Sequence, residues 1–543
     1  MTRSADNASE VLDLLIVGAG FGGMYMLHKA RQSGFSAEVL EMADDVGGTW
    51  YWNRYPGARC DIESLEYSYS FDEALQQEWR WTERFAPQPE ILAYARHVAE
   101  RFDLRRDIRF RVRVDGARFD DAAGLWTITG HDLAADQALT ARRARFVVMA
   151  TGCLSTTNSP DIAGIDEFAG PRYHTGQWPH EGVDFTGKRV GVIGTGSSAI
   201  QSIPIIAAQA EQVVVFQRTP NYSVPAHNAP LDPDYEARIK ADYAGFRQRN
   251  REMLPAFGAN APAPEGSALG SEVAHRREVF ERWWARGGLG FTRAFDDLMI
   301  DRDANQLAAQ FVRDKIHEIV SDPALAARLS PDQVIGCKRL CVDTDYYATY
   351  NRDNVRLVDL RASPIRRVCA EGVDIADETV ALDALVLATG FDAMTGTLLR
   401  IDIRGRHGQR LADAWANGPR NYLGLMVAGF PNLFMITGPG SPSVLTNMIM
   451  SIEQHVEFID QCLTNMRARG QSRIEADSAA QDAWVEHVNT VAGGTVFPHC
   501  NSWYLGANVP GKARVFMPLL GFPAYAQKCR EVVASGYQGF ELA

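Results

Sequence analysis

The chain has 543 residues, enough for three or four domains at roughly 150 residues each. Its 46% hydrophobic and 22% charged residues are an ordinary globular composition, able to bury a large core. The net charge of −12 argues against nucleic acid or an anionic membrane as partner, and no apolar run approaches the ~20 residues of a bilayer span.

The opening segment, MTRSADNASEVLD, is polar and lacks the apolar stretch of a secretion signal. The eight cysteines are scattered, with no disulfide framework. These features point to a cytoplasmic, reducing-compartment protein with no metal site. They leave the oligomeric state open and are compatible with a monomer.

The first apolar run, Leu12 to Val17, stops at Gly18. Met24 to Arg31 then reads as helix and Ala37 to Glu41 as a second strand, which makes a βαβ unit. The turn between strand and helix is GAGFGG, with fingerprint glycines at Gly18, Gly20 and Gly23. The first glycine serves the tight turn, the second the approach of a pyrophosphate, and the third the packing of helix on strand. A helix N-terminus adds free N–H groups and a positive dipole end. Glu41, at the end of the second strand, is placed to accept hydrogen bonds from ribose hydroxyls.

Residues 188–218 repeat the pattern. KRVGVI reads as strand, GTGSSA as turn, the stretch through Ile206 as helix, and QVVVFQR as strand. The glycine positions are Gly194, Gly196 and Ala199, and the strand-end residue is Arg218, not an acid. A guanidinium pairs with a 2′-phosphate that a carboxylate would repel. The first site therefore suits FAD or NAD and the second NADP. A flavin reduced by NADPH is the simplest pair that uses both.

Two apolar strands, RFVVMATG (145–152) and DALVLATG (383–390), end alike in a glycine turn where the chain can pass between the two units. From Ala226 to Leu329 the texture is helical. Asp232-Pro233 reads as an N-cap with proline in the first turn, followed by Tyr235, Ile239, Tyr243 and Phe246 at helical spacing. Further helices carry Trp283 and Trp284, then Leu307, Phe311, Ile316 and Ile319.

The expected fold is α/β, with two Rossmann-like dinucleotide-binding domains and a helical insertion. Residues 1–150 and 390–543 would form the FAD-binding domain, 151–225 and 330–389 the NADP-binding domain, and 226–329 the insertion.

Two-nucleotide flavoproteins divide mainly into disulfide reductases and oxygen-using monooxygenases. The only close cysteine pair, Cys337 and Cys341 in GCKRLC, falls beyond the helical region and reads as packing cysteines. Between them stand Lys338 and Arg339, which precede a strand-loop-strand passage, CVDTDYYATYNRDNV. Adjacent cations there suit either solvated surface charge or one cation for the 2′-phosphate and one for a reaction anion.

FAGPRYHTGQWP (168–179) and GGTWYWNRYPGARCD (47–61) resemble the two signatures of type I Baeyer–Villiger monooxygenases. The likeness continues through GTGSSAIQ, FQRTPNY, LATGFD, GPGSPSVLTNM and SWYLGANVPGK and covers essentially the whole chain. GPGSPS looks closest to the phenylacetone and steroid monooxygenase branch.

The resemblance implies that Gly18, Gly20, Phe21, Gly23, Glu41, Thr49, Trp50, Asp61 and Tyr67 bind or border FAD, with Val114 beside the adenine. It implies that Thr195, Gly196, Ser197, Ser198, Gln201, Arg218, Thr219 and Lys338 hold NADPH, and that Trp503 sits on a loop folding over it. Arg339 would be the catalytic cation and border the cofactors, with Asp61 as its partner. Cys153, Leu154, Ser443, Val444, Leu445 and Met448 match positions lining a substrate pocket. His174 and Trp178 would act at an interdomain junction through geometry.

The activity implied is O2-dependent conversion of a ketone to an ester or lactone through a C4a-peroxyflavin. Its alternative is N- or S-oxygenation by the protonated hydroperoxide, which needs no arginine near the flavin. A flavoprotein that binds NADPH as a redox sensor, without oxygenating anything, is a third reading from a different class.

Overall fold

The computed structural model describes residues 11–543; residues 1–10, most of the segment read as lacking a secretion signal, lie outside the described residues. The strand Val11–Val17 ends at Gly18, whose φ of +104° suits glycine. A Cβ there would lie 2.7 Å from the Ala150 carbonyl oxygen. The helix that follows, Phe21–Gln32, begins three residues before the expected Met24. Its first turn contains Gly22 and Gly23, which carry no hydrophobic periodicity for a sequence reading to follow.

The second unit repeats this construction. The strand Arg189–Ile193 runs into Gly194 at φ +118°, then the helix Ser197–Gln209 and the strand Gln212–Gln217. A Cβ on Gly194 would lie 2.4 Å from the Ala388 carbonyl oxygen. Ala150 and Ala388 are the alanines of the two ATG turns. Each ATG-bearing strand lies parallel to its fingerprint strand, with Met149 opposite Val17 and Leu387 opposite Ile193. The alanine after each therefore lands on the fingerprint glycine.

Two sheets result. The first has nine strands and is mixed. Its parallel part pairs Val11–Val17 with Ala37–Leu40 and Arg142–Met149, and Arg142–Met149 with Leu433–Met435. The hairpin Val112–Asp120 and Leu125–Asp132 extends it, and Asp402–Arg404 adds an edge. The C-terminal third thus supplies strands to the first sheet. The second sheet is wholly parallel, in the order Val355–Asp359, Gln212–Gln217, Arg189–Ile193, Ala384–Leu387 and Arg172–His174. The passage after Cys341 is a strand, Cys341–Asp343, a short helix, Tyr346–Thr349, and a strand, Val355–Asp359.

The helical region divides between the two cores. Tyr243 and Phe246 join the core of the first sheet, with Tyr235 and Ile239 packed against it. Phe280, Trp283, Phe311 and Ile316 join that of the second. The spacing of Tyr235 to Phe246 predicts one helix, but there are two, Pro233–Ala241 and Tyr243–Glu252. Asp242 leaves helical geometry at φ −138° and its carboxylate accepts from the Gly245 N–H, capping the second helix. Asp232 caps the first by accepting from the Asp234 N–H.

Gly23 is the tightest point of the first unit, since a Cβ there would sit 1.8 Å from the Gly18 carbonyl oxygen. Gly23→Ala is expected to destabilise the protein by about 1–3 kcal/mol through overpacking. Thermal unfolding and retained flavin absorbance measure it; an unchanged melting temperature with full flavin content would refute it.

Candidate active site

A cavity of about 1650 Å³ runs between the sheets and is bordered by both glycine turns. A single small-ligand pocket is roughly 300–1,000 Å³, so this space suits more than one large ligand. The helices Phe21–Gln32 and Ser197–Gln209 both open onto it, and neither carries a side-chain N-cap. Their first N–H groups are left for a phosphate. Two uncapped helix ends on one cavity fit two dinucleotides.

Glu41 is buried at the cavity edge and accepts from the Ala19 N–H at 2.6 Å and the Ala43 N–H at 2.7 Å. Burial pushes its pKa up, and these backbone donors oppose the shift. A carboxylate offers about four lone-pair sites, so capacity for ribose hydroxyls remains. Trp50 donates from Nε1 to the Tyr67 hydroxyl oxygen at 3.1 Å, and their rings meet edge to face.

Arg218 and Lys338 both border the cavity at the second turn. Neither forms an ion pair among the described residues. Burial lowers the Lys338 pKa, and the Arg218 charge lowers it further. Two cations that repel each other and lack an acid partner make a site for an anion.

Arg339 is arranged differently. Its Nε donates to Asp61 Oδ2 at 2.5 Å and its Nη2 to Asp61 Oδ1 at 2.8 Å, a bidentate pair. Its Nη1 donates to the Val444 carbonyl oxygen at 2.6 Å. Burial alone would lower the guanidinium pKa, but the adjacent Asp61 overrides it and the net shift is upward. The group is a permanent cation, fixed on the cavity that both glycine turns border.

This cavity has counterparts of known chemistry. Residues 13–228 match the flavin-binding monooxygenase-like family. The solved structure of oxidised steroid monooxygenase bound to NADP is 50% identical, with a TM-score of 0.92, and the match covers 98% of this chain and 99% of that one. A Baeyer–Villiger monooxygenase of Pseudooceanicola batsensis is 41% identical over 99% of this chain and 97% of its own. The 2-oxo-Delta(3)-4,5,5-trimethylcyclopentenylacetyl-CoA monooxygenase of Pseudomonas putida is 39% identical over 98% of this chain and 99% of its own. The chain belongs to the Baeyer–Villiger monooxygenases. It is an FAD- and NADPH-dependent flavoprotein that uses O2 to convert ketones to esters or lactones.

Most of the residues expected from the sequence meet on this Baeyer–Villiger cavity. Gly18, Gly20, Phe21, Glu41, Thr49, Trp50, Asp61, Tyr67 and Val114 border it at the first turn, and Trp503 comes from the loop above. Thr195, Gly196, Ser197, Ser198, Gln201, Arg218, Thr219, Lys338 and Arg339 border it at the second. Cys153, Leu154, Val444 and Met448 are on its wall. Gly23 lies behind the turn, where it packs helix on strand. Gln201 also reaches across to the first unit, donating to the Arg59 carbonyl and accepting from the Tyr55 hydroxyl.

Three expectations need correction. Ser443 and Leu445 do not border the cavity. Ser443 sits at φ +42°, fully buried, with its hydroxyl turned to the Thr437 carbonyl at 3.2 Å. Leu445 packs against the core of the first sheet. Cys337 is not a packing cysteine but is joined to Cys500 in a disulfide, with a Cα–Cα distance of 6.2 Å. The two lie 163 residues apart, so spacing alone gave no sign of the pairing. Cys341 is free and buried, as a packing cysteine should be.

Sequence reasoning also passed over Tyr504. It is buried beside Arg339; burial pushes its phenol pKa up while the guanidinium pulls it down. Its only signal in the sequence is its place beside Trp503 in SWYLGANVPGK. Among the described residues no helix is long and apolar enough to cross a membrane, and no side-chain cluster could hold a metal.

His174 joins neighbouring segments through its ring. Nδ1 accepts from the Gly176 N–H at 3.0 Å, and Nε2 pairs with the Thr389 hydroxyl at 3.2 Å. Burial holds its pKa below the usual 6.5. On acidification the unfolded chain takes up this proton first, so the contribution to stability is lost from about pH 6.5 downward toward the lowered folded value. His174→Asn lacks the titration, so its melting temperature should fall less than that of the wild type between about pH 7 and pH 5. Parallel pH profiles for the two proteins would contradict this account.

Proposed function

We propose that the turn at Gly18 and Gly20 holds the FAD pyrophosphate and that Gly194 to Ser198 hold that of NADPH. Glu41 accepts from the FAD ribose, with Trp50 and Tyr67 bordering the flavin ring. Arg218 and Lys338 take the 2′-phosphate, which accounts for two unpaired cations meeting at one place. The corresponding division of the chain is 1–150 with 390–543 for FAD, 151–225 with 330–389 for NADP, and 226–329 as the helical insertion. A cytoplasmic monomer is compatible with these features.

When bound, FAD reduced by NADPH supplies a nucleophilic form of activated oxygen. The protein's part is to hold charge and exclude water. The positive field of Arg339 would meet the negative oxygen that develops when the ketone carbonyl is attacked, with no reorganisation. Arginine stays protonated at any working pH. Asp61 fixes its plane through two hydrogen bonds, and the Val444 carbonyl ties it to the segment beside the ketone. Cys153, Leu154, Val444 and Met448 form a wall suited to bulky or aryl ketones. Trp503 and its loop cover the cavity and limit entry of water.

The observation that carries this reading is Arg339 on the cavity that both glycine turns border, held by the Asp61 carboxylate through two hydrogen bonds. Arg339→Ala should still oxidise NADPH but lose ester formation by ~10²–10³-fold. NADPH loss and product mass across a ketone panel measure it, with a thioether as a control for oxygenation at sulfur. Normal ester yield from this variant would remove Arg339 from the reaction.

Arg218→Ala should raise KM for NADPH about 10- to 100-fold at little change in kcat, as expected for a lost charge-assisted hydrogen bond of ~1.5–3 kcal/mol. An unchanged KM would move the 2′-phosphate elsewhere.

A further inference from the structure

We propose that Cys337 and Cys500 are a redox modification site, in which hydrogen peroxide from unproductive turnover writes a covalent clamp on the loop over the active site. The disulfide joins the residue just before Lys338 and Arg339 to the residue three before Trp503. It therefore connects the segment that carries both cations to the segment that covers them. From Val496 to Gly521 the covering segment contains only two short 3₁₀ turns, Phe497–His499 and Trp503–Leu505. Its other fastenings are non-covalent: Phe497, Tyr504, Phe516, Met517 and Leu519 pack into the core of the first sheet, and polar contacts tie the rest. Asn508 donates to the Phe391 carbonyl at 2.6 Å, and Lys512 pairs with Asp392 at 2.5 Å. The disulfide is its one covalent anchor among the described residues.

The two sulfurs differ in access. Cys500 is half-buried on the cavity wall, beside His499 and Asn501, whereas Cys337 is fully buried. Peroxide released in the cavity reaches Cys500 first. The thiol gives up two electrons to H2O2, forming a sulfenic acid and one water. The Cys337 thiol then attacks that sulfur, the S–O bond breaks, and a second water leaves as the disulfide forms. Overall, two thiols and one H2O2 give one disulfide and two H2O, and a dithiol reductant reverses the change. The oxidant is the product formed when NADPH and O2 are consumed without a ketone. The site therefore responds to the enzyme's own uncoupling.

With the clamp closed, Trp503 is held over the cavity and NADP⁺ leaves more slowly. Product release then limits the cycle, and further wasteful use of NADPH is restrained. This consequence rests on the proposed placement of NADP beside Lys338 and Trp503. The cross-link itself does not.

The test uses the holoenzyme, reduced with dithiothreitol and then titrated with H2O2. Free thiols are blocked, and the digest is mapped by mass without reduction. The expected result is a Cys337–Cys500 cross-linked peptide that accumulates with peroxide and is missing from Cys337→Ser and Cys500→Ser. In stopped flow, NADP⁺ release from the oxidised wild type should be about tenfold slower than from the same protein reduced again. That comparison needs no variant and stands even if a serine variant folds poorly. Absence of the peptide after peroxide treatment, with ester formation intact, would overturn the modification site and leave the monooxygenase reading untouched. Formation of the peptide with equal NADP⁺ release in both states would overturn its role as a clamp.

Discussion

The bidentate contact between Arg339 and Asp61 sets a constraint that much of the molecule serves. Taking a guanidinium out of water costs several kcal/mol unless a partner of good geometry replaces the solvent. Asp61 provides that partner from a segment 278 residues away in sequence. The pair can form only if the run of short helix, Thr49–Trp52, and loop ending at Asp61 is pressed against the second unit. The same run supplies that contact. Tyr55 donates to Gln201, Gln201 donates to the Arg59 carbonyl, and Gly57 packs so closely that a Cβ would lie 2.4 Å from the Gln201 carbonyl oxygen. One segment thus fastens the two halves together and orients the charge between them.

The cations of the site fall into two kinds. Arg339 is satisfied on three sides by Asp61 and the Val444 carbonyl, which fixes its position and leaves its field directed into the cavity. Arg218 and Lys338 form no ion pair among the described residues, and the Arg218 charge helps hold the Lys338 pKa down. A paired arginine is held for chemistry that demands position. An unpaired pair of cations is a standing demand for a ligand of opposite charge, and binding relieves it. The contrast between Glu41 at the first strand end and Arg218 at the second separates the two nucleotide sites by the same electrostatics.

What could be read from the sequence follows from how local each signal is. The glycine turns were legible because φ values of +104° and +118° leave glycine as the natural choice and the flanking strands are continuous apolar runs. The break at Asp242 was not, because Tyr235 to Phe246 keep helical spacing on both sides of it and the capping carboxylate looks like any surface acid. Ser443 departs from the expected wall because a residue at positive φ turns its side chain away from the direction its neighbours suggest, and Leu445, an apolar residue, packs into the core instead. The Cys337–Cys500 bond and the place of Tyr504 beside Arg339 depend on chain segments far apart in sequence. No spacing rule reaches that far. The Arg339–Asp61 partnership was equally distant and was available only through the family resemblance.

The two places where the chain passes between the sheets are themselves joined. Gly152 and Gly390, at φ +71° and +76°, follow the alanines that rest on the fingerprint glycines. The Asn158 N–H donates to the Gly390 carbonyl at 2.9 Å, the Thr389 hydroxyl donates to the Asn158 carbonyl at 2.6 Å, and Thr157 bridges to Phe391. The crossings therefore run side by side as one paired, two-stranded link. Asn508, on the segment that covers the cavity, is bound to this link from both sides. It donates to the Phe391 carbonyl, and its own carbonyl accepts from the Asn158 side chain at 3.2 Å. The covering segment is thereby fastened to both crossings at once, through the Asn508 side chain on one and its carbonyl on the other.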